Sequence, residues 1–474
     1  MRKLIVFVLT AVILLGFLTV PVAAQGPASY ASTVTVTNTS DTEGTIQLVF
    51  YNPDGTIADD SIVDPIGPLE TKFYTTLPLS TGFQGSLVIE SSVPLASSSV
   101  VMGKAGNGAV INYASYVGVS AGADFVYLPL LMKNNYGFNT YFSIQNASAS
   151  PVDVQITYSD GVVVPDIIDL QPGAAVVIDN QSEAGHVRKF AGVLEATGPI
   201  AVAVVEWADG VYGQPLFAYN GFTQAQGTTH PVIPMVNQNN YGYWTSIPIQ
   251  NIGTVDTTVT LTYAPTKAGS ACTETLTIPA GGWAEFGQNA HVFLPQTPGS
   301  TCVMGQKFVG AAIVSNNSAD QPLIGLMNQS TTIHPTWDKA GALMSMNADL
   351  GSPIIVFPEA YQYFGSYNWW SSITIINVSG ASIPAGDVTC RGVGHVGSTP
   401  VDDTWSNPNP IADGEGWITD MERDWGPMPV GFIGSVTCQS ATNAELLGTL
   451  NNLGHIAPES MDSFTMYEGI NIYP

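Results

Sequence analysis

The residues best suited to chemistry in this chain are aromatic and acidic, and both concentrate in its C-terminal part. Six of the nine tryptophans lie between Trp337 and Trp425. Exposed indole rings stack on the apolar faces of sugars, so Trp369, Trp370, Trp405 and Trp425 form a candidate carbohydrate platform. The plainer alternative is that these four pack in a core, at a joint or between subunits, as large aromatics usually do. Trp417 follows the turn Asp413-Gly414-Glu415-Gly416 as Trp283 follows Ala280-Gly281-Gly282, so both are expected to fill one structural position of a repeat. The carboxylates Asp402, Asp403, Asp413, Glu415, Asp420, Glu422 and Asp424 are oxygen donors of the kind Ca²⁺ takes. No EF-hand or Asp-x-Asp-x-Asp loop orders them, and solvated acidic loops are the simpler reading.

Other chemistries leave no signature. His-Glu-x-x-His and a Walker loop are both absent from the sequence. Gly103-Lys104-Ala105-Gly106-Asn107-Gly108 has its Lys in the wrong place for a phosphate loop and no helical pattern after it, so it reads as a turn. The six histidines are spread singly, two of them before proline at His230-Pro231 and His334-Pro335, and read as loop or joint residues. The four cysteines fall as Cys272 with Cys302 and Cys390 with Cys438. Two disulfides, each within one folded unit, are expected in preference to a zinc site, which would need CxxC-like spacing. Each closure would stabilise by roughly 3–4 kcal/mol in the chain-entropy model.

The ends and the composition say where such a chain works. Arg2 and Lys3, the apolar run Leu4 to Val20 and then Pro21-Val22-Ala23-Ala24 read as a secretory signal peptide cleaved after Ala24, with an uncleaved membrane anchor as the alternative. No second long apolar run follows, so the mature chain is expected to have no membrane span. Loss of Arg2 and Lys3 leaves ten basic residues against 37 acidic ones, a net charge of −27. That charge repels nucleic acid and anionic lipid.

The elements that must position all these side chains repeat four times. An Asn closes an apolar strand at Asn38, Asn146, Asn251 and Asn377, at spacings of 108, 105 and 126 residues. An aromatic follows twelve residues on at Phe50, Tyr158 and Tyr263, and Cys390 thirteen on in the last copy. A Phe-x-Gly comes later in each, at Phe83/Gly85, Phe190/Gly192, Phe308/Gly310 and Phe432/Gly434. Within a copy, alternating segments such as Val152 to Tyr158 and turns such as Ser159-Asp160-Gly161 mark short strands. The expected fold is all-β: four tandem immunoglobulin-like β-sandwich modules, 25–124, 125–230, 231–351 and 352–474, after a signal peptide at 1–24. Apolar, Pro-containing segments precede the second and third copies, Leu128 to Gly137 and Ile233 to Gly242, with a looser version at Val356 to Gly365. They are expected to act as stiff joints between modules, making a rod.

These leaders, with the Ser-Ile-x-Ile-Gln-Asn type of strand behind them, resemble the tandem β-sandwich surface proteins of filamentous bacteria such as the Chloroflexi. The resemblance implies a secreted cell-envelope protein and supplies no catalytic residues. The leading expectation is therefore a non-enzymatic secreted structural protein: a filament, sheath or surface-layer subunit, or an adhesin stalk. A carbohydrate-binding surface protein using the module 4 tryptophans is the alternative, and a glycan-active accessory or catalytic protein the third. Partners are expected to be further copies or other envelope proteins, or a polysaccharide, with no cofactor unless Ca²⁺. Because the chain ends one phase short of a further leader, its last segment, with Phe464, Tyr467, Ile470, Ile472 and Tyr473, is expected to dock head to tail on the first module of another molecule.

Overall fold

The computed structural model describes residues 27–208, 215–287, 297–318, 320–331, 339–420, 428–455 and 461–473, and the backbone alone of 6–10. The fold is all-β. Among the described residues helix is confined to two 3₁₀ turns, Gln224–Gln226 and Ala348–Leu350.

One pairing order recurs along the chain. In the first unit Thr71–Tyr74, Ser29–Asn38, Leu95–Lys104 and Val110–Val117 lie side by side in one sheet. Ile57–Ile66, Gly44–Tyr51, Ser86–Ser91 and Val6–Thr10 make the other, and Val34, Val36, Ile46, Leu48 and Phe50 fill the space between them. The last unit repeats both orders, with Gly416–Asp420, Trp369–Asn377, Leu446–Gly454 and Phe464–Glu468 in one sheet and Thr399–Ser406, Val388–Val396, Phe432–Ser440 and Ile354–Gln362 in the other. In the second unit the 20-residue strand Lys189–Ala208 runs through both sheets and joins them. Strict alternation of buried and exposed residues along Val152–Tyr158 shows why such segments become half-buried strands.

Each marker asparagine ends its strand and staples the turn that follows. Asn146 Nδ2 donates to the carbonyls of Ser150 and Leu170, both at 2.8 Å, and its Oδ1 accepts from the Ser148 amide at 2.7 Å. Asn38 does the same with Thr42, Gly67 and Ser40, and Asn377 with Ala381, Ile411 and Ser379. Asn251 holds Val255, Ile278 and Gly253. All four side chains are buried, and each spends its amide donors and its carbonyl acceptor on the turn and the loop beside it. The Phe-x-Gly glycine has a steric cause: a Cβ on Gly310 would stand 2.1 Å from the Ala264 carbonyl oxygen, and one on Gly434 would meet that of Val393 at 2.2 Å.

The leaders are not joints between units. Ala123–Met132 is a strand of the second unit's own sheet, paired with Lys189–Ala208, and Asn-Asn-Tyr-Gly is the turn that returns it to Phe138–Asn146. Asn134, Tyr136 and Gly137 there have φ of 48°, 53° and 87°, and Asn239, Tyr241 and Gly242 repeat them at 48°, 51° and 83°. Asn and Gly suit this left-handed turn. The two non-glycine tyrosines each lie under a cation, Arg188 over Tyr136 and Lys307 over Tyr241.

The rod is also overturned. The last strands of the four units, Val110–Val117, Leu216–Asn220, Ala340–Met344 and Phe464–Glu468, pack each on the next, and the fourth returns to the first. The units therefore close into a ring. A strand left on the outside of a rod would alternate polar and apolar, whereas Leu216–Asn220 and Ala340–Met344 are buried at every residue and need cover on both faces. Asp462 ties the centre. Its amide donates to Ile111 of the first unit at 3.0 Å, and its carboxylate accepts from the amides of Leu216 in the second and Ala340 in the third, both at 3.0 Å. Lys339 Nζ donates to the Met461 carbonyl at 2.7 Å beside it.

Closure also uses up the segment expected to dock on another molecule. Phe464 and Tyr467 are buried in this chain's own centre, and Ile470–Ile472 pairs with Ile354, Ile355 and Val356 of its own unit; only Tyr473 is exposed. Replacing Asp462 by Ala leaves the buried Leu216 and Ala340 amides without their acceptor, and charge-assisted bonds of this kind contribute about 1.5–3 kcal/mol each. Asp462→Ala should lower unfolding free energy by about 3 kcal/mol in urea titration and enlarge the radius of gyration in solution scattering, with Asp462→Asn milder in both.

Candidate functional site

The seam where the fourth unit meets the first opens into a cleft of about 670 Å³. Trp369, Tyr361 and Phe364 enter it from the fourth unit, and Phe73, Tyr74 and Tyr113 from the first. Tyr113 meets Trp369 edge-to-face with ring centroids 5.1 Å apart, and Tyr361 stacks on Phe364 at 5.6 Å. Polar groups interrupt this wall: Asp64, which accepts from the Tyr74 hydroxyl at 2.7 Å, the Glu70–Lys72 pair at 3.4 Å, Thr35, Asn452, His395 and Glu359.

Glu359 is the unusual member. It is 4% exposed, its Oε1 accepts from the Tyr361 hydroxyl, and its Oε2 has no hydrogen-bond partner. Burial pushes its carboxyl up to about 8, so it is a neutral acid at pH 7. Burial likewise pushes the Tyr113 phenol up to about 12.

The corresponding seam between the second and third units shows what the cleft would be without these changes. There the cavity is about 50 Å³. Both leader strands carry a bulge after their proline, between Leu128 and Leu131 in one and between Phe357 and Ala360 in the other, which sets Glu359 where the second unit has Leu130. By the same registers Tyr361 stands for Met132 and Ile433 for Lys189. Three residues before the marker Asn, strand pairing matches Phe73 with Glu285, the acid that Lys189 binds at 2.5 Å to shut the other seam. Thr465 replaces Phe217, and Ala31 stands seven residues before its marker where Trp244 does, so two large rings are missing.

The tryptophan platform does not assemble. Trp369 is in the cleft, but its neighbour Trp370 points to the opposite face of the strand and packs against the fourth unit's core. Trp405 lies inside that core, because its strand alternates and Thr399–Ser406 pairs it opposite Cys390. Trp425, Glu422, Asp424 and His334 lie outside the described residues. Trp417 and Trp283 are not equivalent either: Trp283 pairs with Gln250 and Trp417 with Ile375, one residue apart in phase, so Trp417 faces its own core and Trp283 packs against the second unit.

The acidic stretch stays dispersed. Asp402 forms a bidentate pair with Arg391 at 2.7 and 2.6 Å, and Asp413 accepts from the Gly380 amide. Among the described residues no group of three or more His, Cys, Asp or Glu is placed to hold a metal ion. The cysteines are joined as Cys272–Cys302 and Cys390–Cys438, each inside one unit.

Two arrangements escaped the sequence reading. His186 lies between Asp160 Oδ2 at 2.9 Å and Glu183 Oε2 at 3.1 Å and stacks on Phe190 at 4.1 Å, so a solitary histidine is in fact the lock on a loop. The other is Glu359, whose only sequence signal was an acid in a leader that elsewhere carries no charge.

No protein-family model matches the chain, and no curated protein matches it. Among solved structures it is similar to the crystal structure of a tetra-tandem repeat in the extending region of a large adhesion protein, at 10% identity over 94% of this chain and 98% of that one. The TM-score is 0.10, too low to support any argument about fold or role.

Glu206, at the seam between the second and third units, is also pushed up to about 8 by burial, although Asn328 Nδ2 donates to it at 2.5 Å. Both acids ionise near 4.5 once unfolded and near 8 when folded. Their stabilisation is therefore complete below about pH 4.5 and is lost as pH rises through 8, on the order of a few kcal/mol each. The melting temperature should fall between pH 5 and pH 8.5, and the Glu206→Gln, Glu359→Gln pair should flatten that slope in calorimetry.

Proposed function

We propose that this chain is a non-enzymatic, exported structural or adhesive protein of the cell surface. The observation that carries this reading is the closure of repeated β-sandwiches around one buried centre, with two disulfides inside units. Such a body resists opening, and its disulfides suit an oxidising compartment. No helix among the described residues is long and apolar enough to cross a membrane. The resemblance of its leader motifs to Chloroflexi-type surface proteins points the same way.

Val6–Thr10 pairs with Ser86–Ser91 of the first unit, the place that leader strands occupy in the other units. Cleavage after Ala24 would remove that strand and leave Ser86–Ser91 at an edge, where association with a second copy or another envelope protein can add one. This edge replaces the C-terminal segment as the place for self-association.

Expression in a bacterial host with its own export machinery should yield envelope or medium protein beginning at Gln25, as read by N-terminal sequencing. Non-reducing peptide mapping should recover Cys272–Cys302 and Cys390–Cys438. Recovery in the cytoplasm with an intact N-terminus and free thiols would refute export.

A further inference from the structure

We propose that the cleft between the fourth and first units is a binding site for a neutral saccharide, the ligand through which the surface protein proposed above adheres. The inference rests on a departure from repetition: of two equivalent seams, one is shut by Leu130, Met132, Phe217, Trp244 and the Lys189–Glu285 pair, and the other is open. The substitutions that open it also change its chemistry. Trp369 and Tyr361 offer ring faces and edges for the C–H surface of a pyranose. Glu359 places in the cleft a nine-tenths buried carboxyl with one oxygen unpartnered, in a position where the second unit has leucine. A buried polar atom left unpaired is destabilising, and a ligand hydroxyl supplies the missing bond.

The charge of the cleft sets the class of sugar. Asp64 and Glu70 outweigh Lys72, which Glu70 already binds, so uronic and sialic acids are repelled. Thr35 and Asn452 add neutral polar groups suited to hydroxyls. A quaternary ammonium group is the competing ligand, since aromatic rings with an acid also suit a cation.

The test is titration of the purified full chain with neutral gluco-, galacto-, manno- and xylo-oligosaccharides, a uronic-acid oligomer and choline, followed by tryptophan fluorescence and calorimetry. A neutral oligosaccharide should bind at micromolar to millimolar Kd and the uronic-acid oligomer should not. Trp369→Ala should weaken binding about tenfold. Glu359→Leu, which installs the second unit's residue, should abolish binding while leaving the melting temperature unchanged or raised, and Glu359→Gln should retain most of it. Absence of binding by every neutral sugar at millimolar concentration, binding indifferent to both Trp369→Ala and Glu359→Leu, or binding of choline alone would each overturn the proposal. Since purified protein is used, those results are independent of whether the chain is exported.

Discussion

Four closing strands that each need cover on both faces are the constraint on which the architecture depends. A β-sandwich can bury one face of every strand by itself, but Leu216–Asn220 and Ala340–Met344 carry no solvent face at all. Bringing four such strands together around one centre solves the problem for every unit at once, because each strand is covered by the next. Asp462 then has to lie in that centre with its carboxylate dehydrated, and it does so by taking amide donors from two other units while its own amide reaches a third. A charge in such a place is tolerated only when its lone pairs are matched, and here the matching groups exist only once the ring has closed.

Local devices build the units, and long-range ones arrange them. The marker asparagines act over a few residues of turn and one neighbouring loop, repeating the same three contacts in each copy. Left-handed Asn-Asn-Tyr-Gly turns do likewise for the leader hairpins. None of these devices reaches a second unit. Contacts between units come instead from residues with no common pattern: Lys189 with Glu285, Asn328 with Glu206, and Tyr113 with Trp369. Repetition thus fixes the bricks, and divergence at the seams decides which seams seal.

That division explains where a binding site arises in a repeat protein. Equivalent seams begin with equivalent geometry, so a few substitutions change one of them without disturbing the rest. Replacing two rings by Thr465 and Ala31 removes volume, replacing an ion pair by Ile433 and Phe73 removes the latch, and Glu359 adds a polar group that its surroundings leave half satisfied. The buried acid destabilises the folded chain at alkaline pH, a burden that an apolar residue at the same position in the second unit does not carry.

The all-β fold was legible because its signals are local: period-two alternation in Val152–Tyr158, turn residues between strands, and a buried Asn at each strand end. The cysteine pairs were legible for the same reason, since each lies within one repeat. The rod, the tryptophan platform and the docking C-terminus were misread because each depends on which surfaces meet across hundreds of residues. Trp369 and Trp370 are adjacent in sequence and face opposite ways; Asp462 and Ile111 are far apart and bonded. The apolar runs Leu216 to Tyr219 and Ala340–Met344 were the one trace of the ring, and they state only that a second face needs cover. Sequence determined the strands, their turns and their inner faces, because alternation and turn chemistry act over a few residues. Only the tertiary structure decided that the outer faces of four last strands cover one another, and so how far each seam stays open, because that choice is made by contacts between units that share no local pattern.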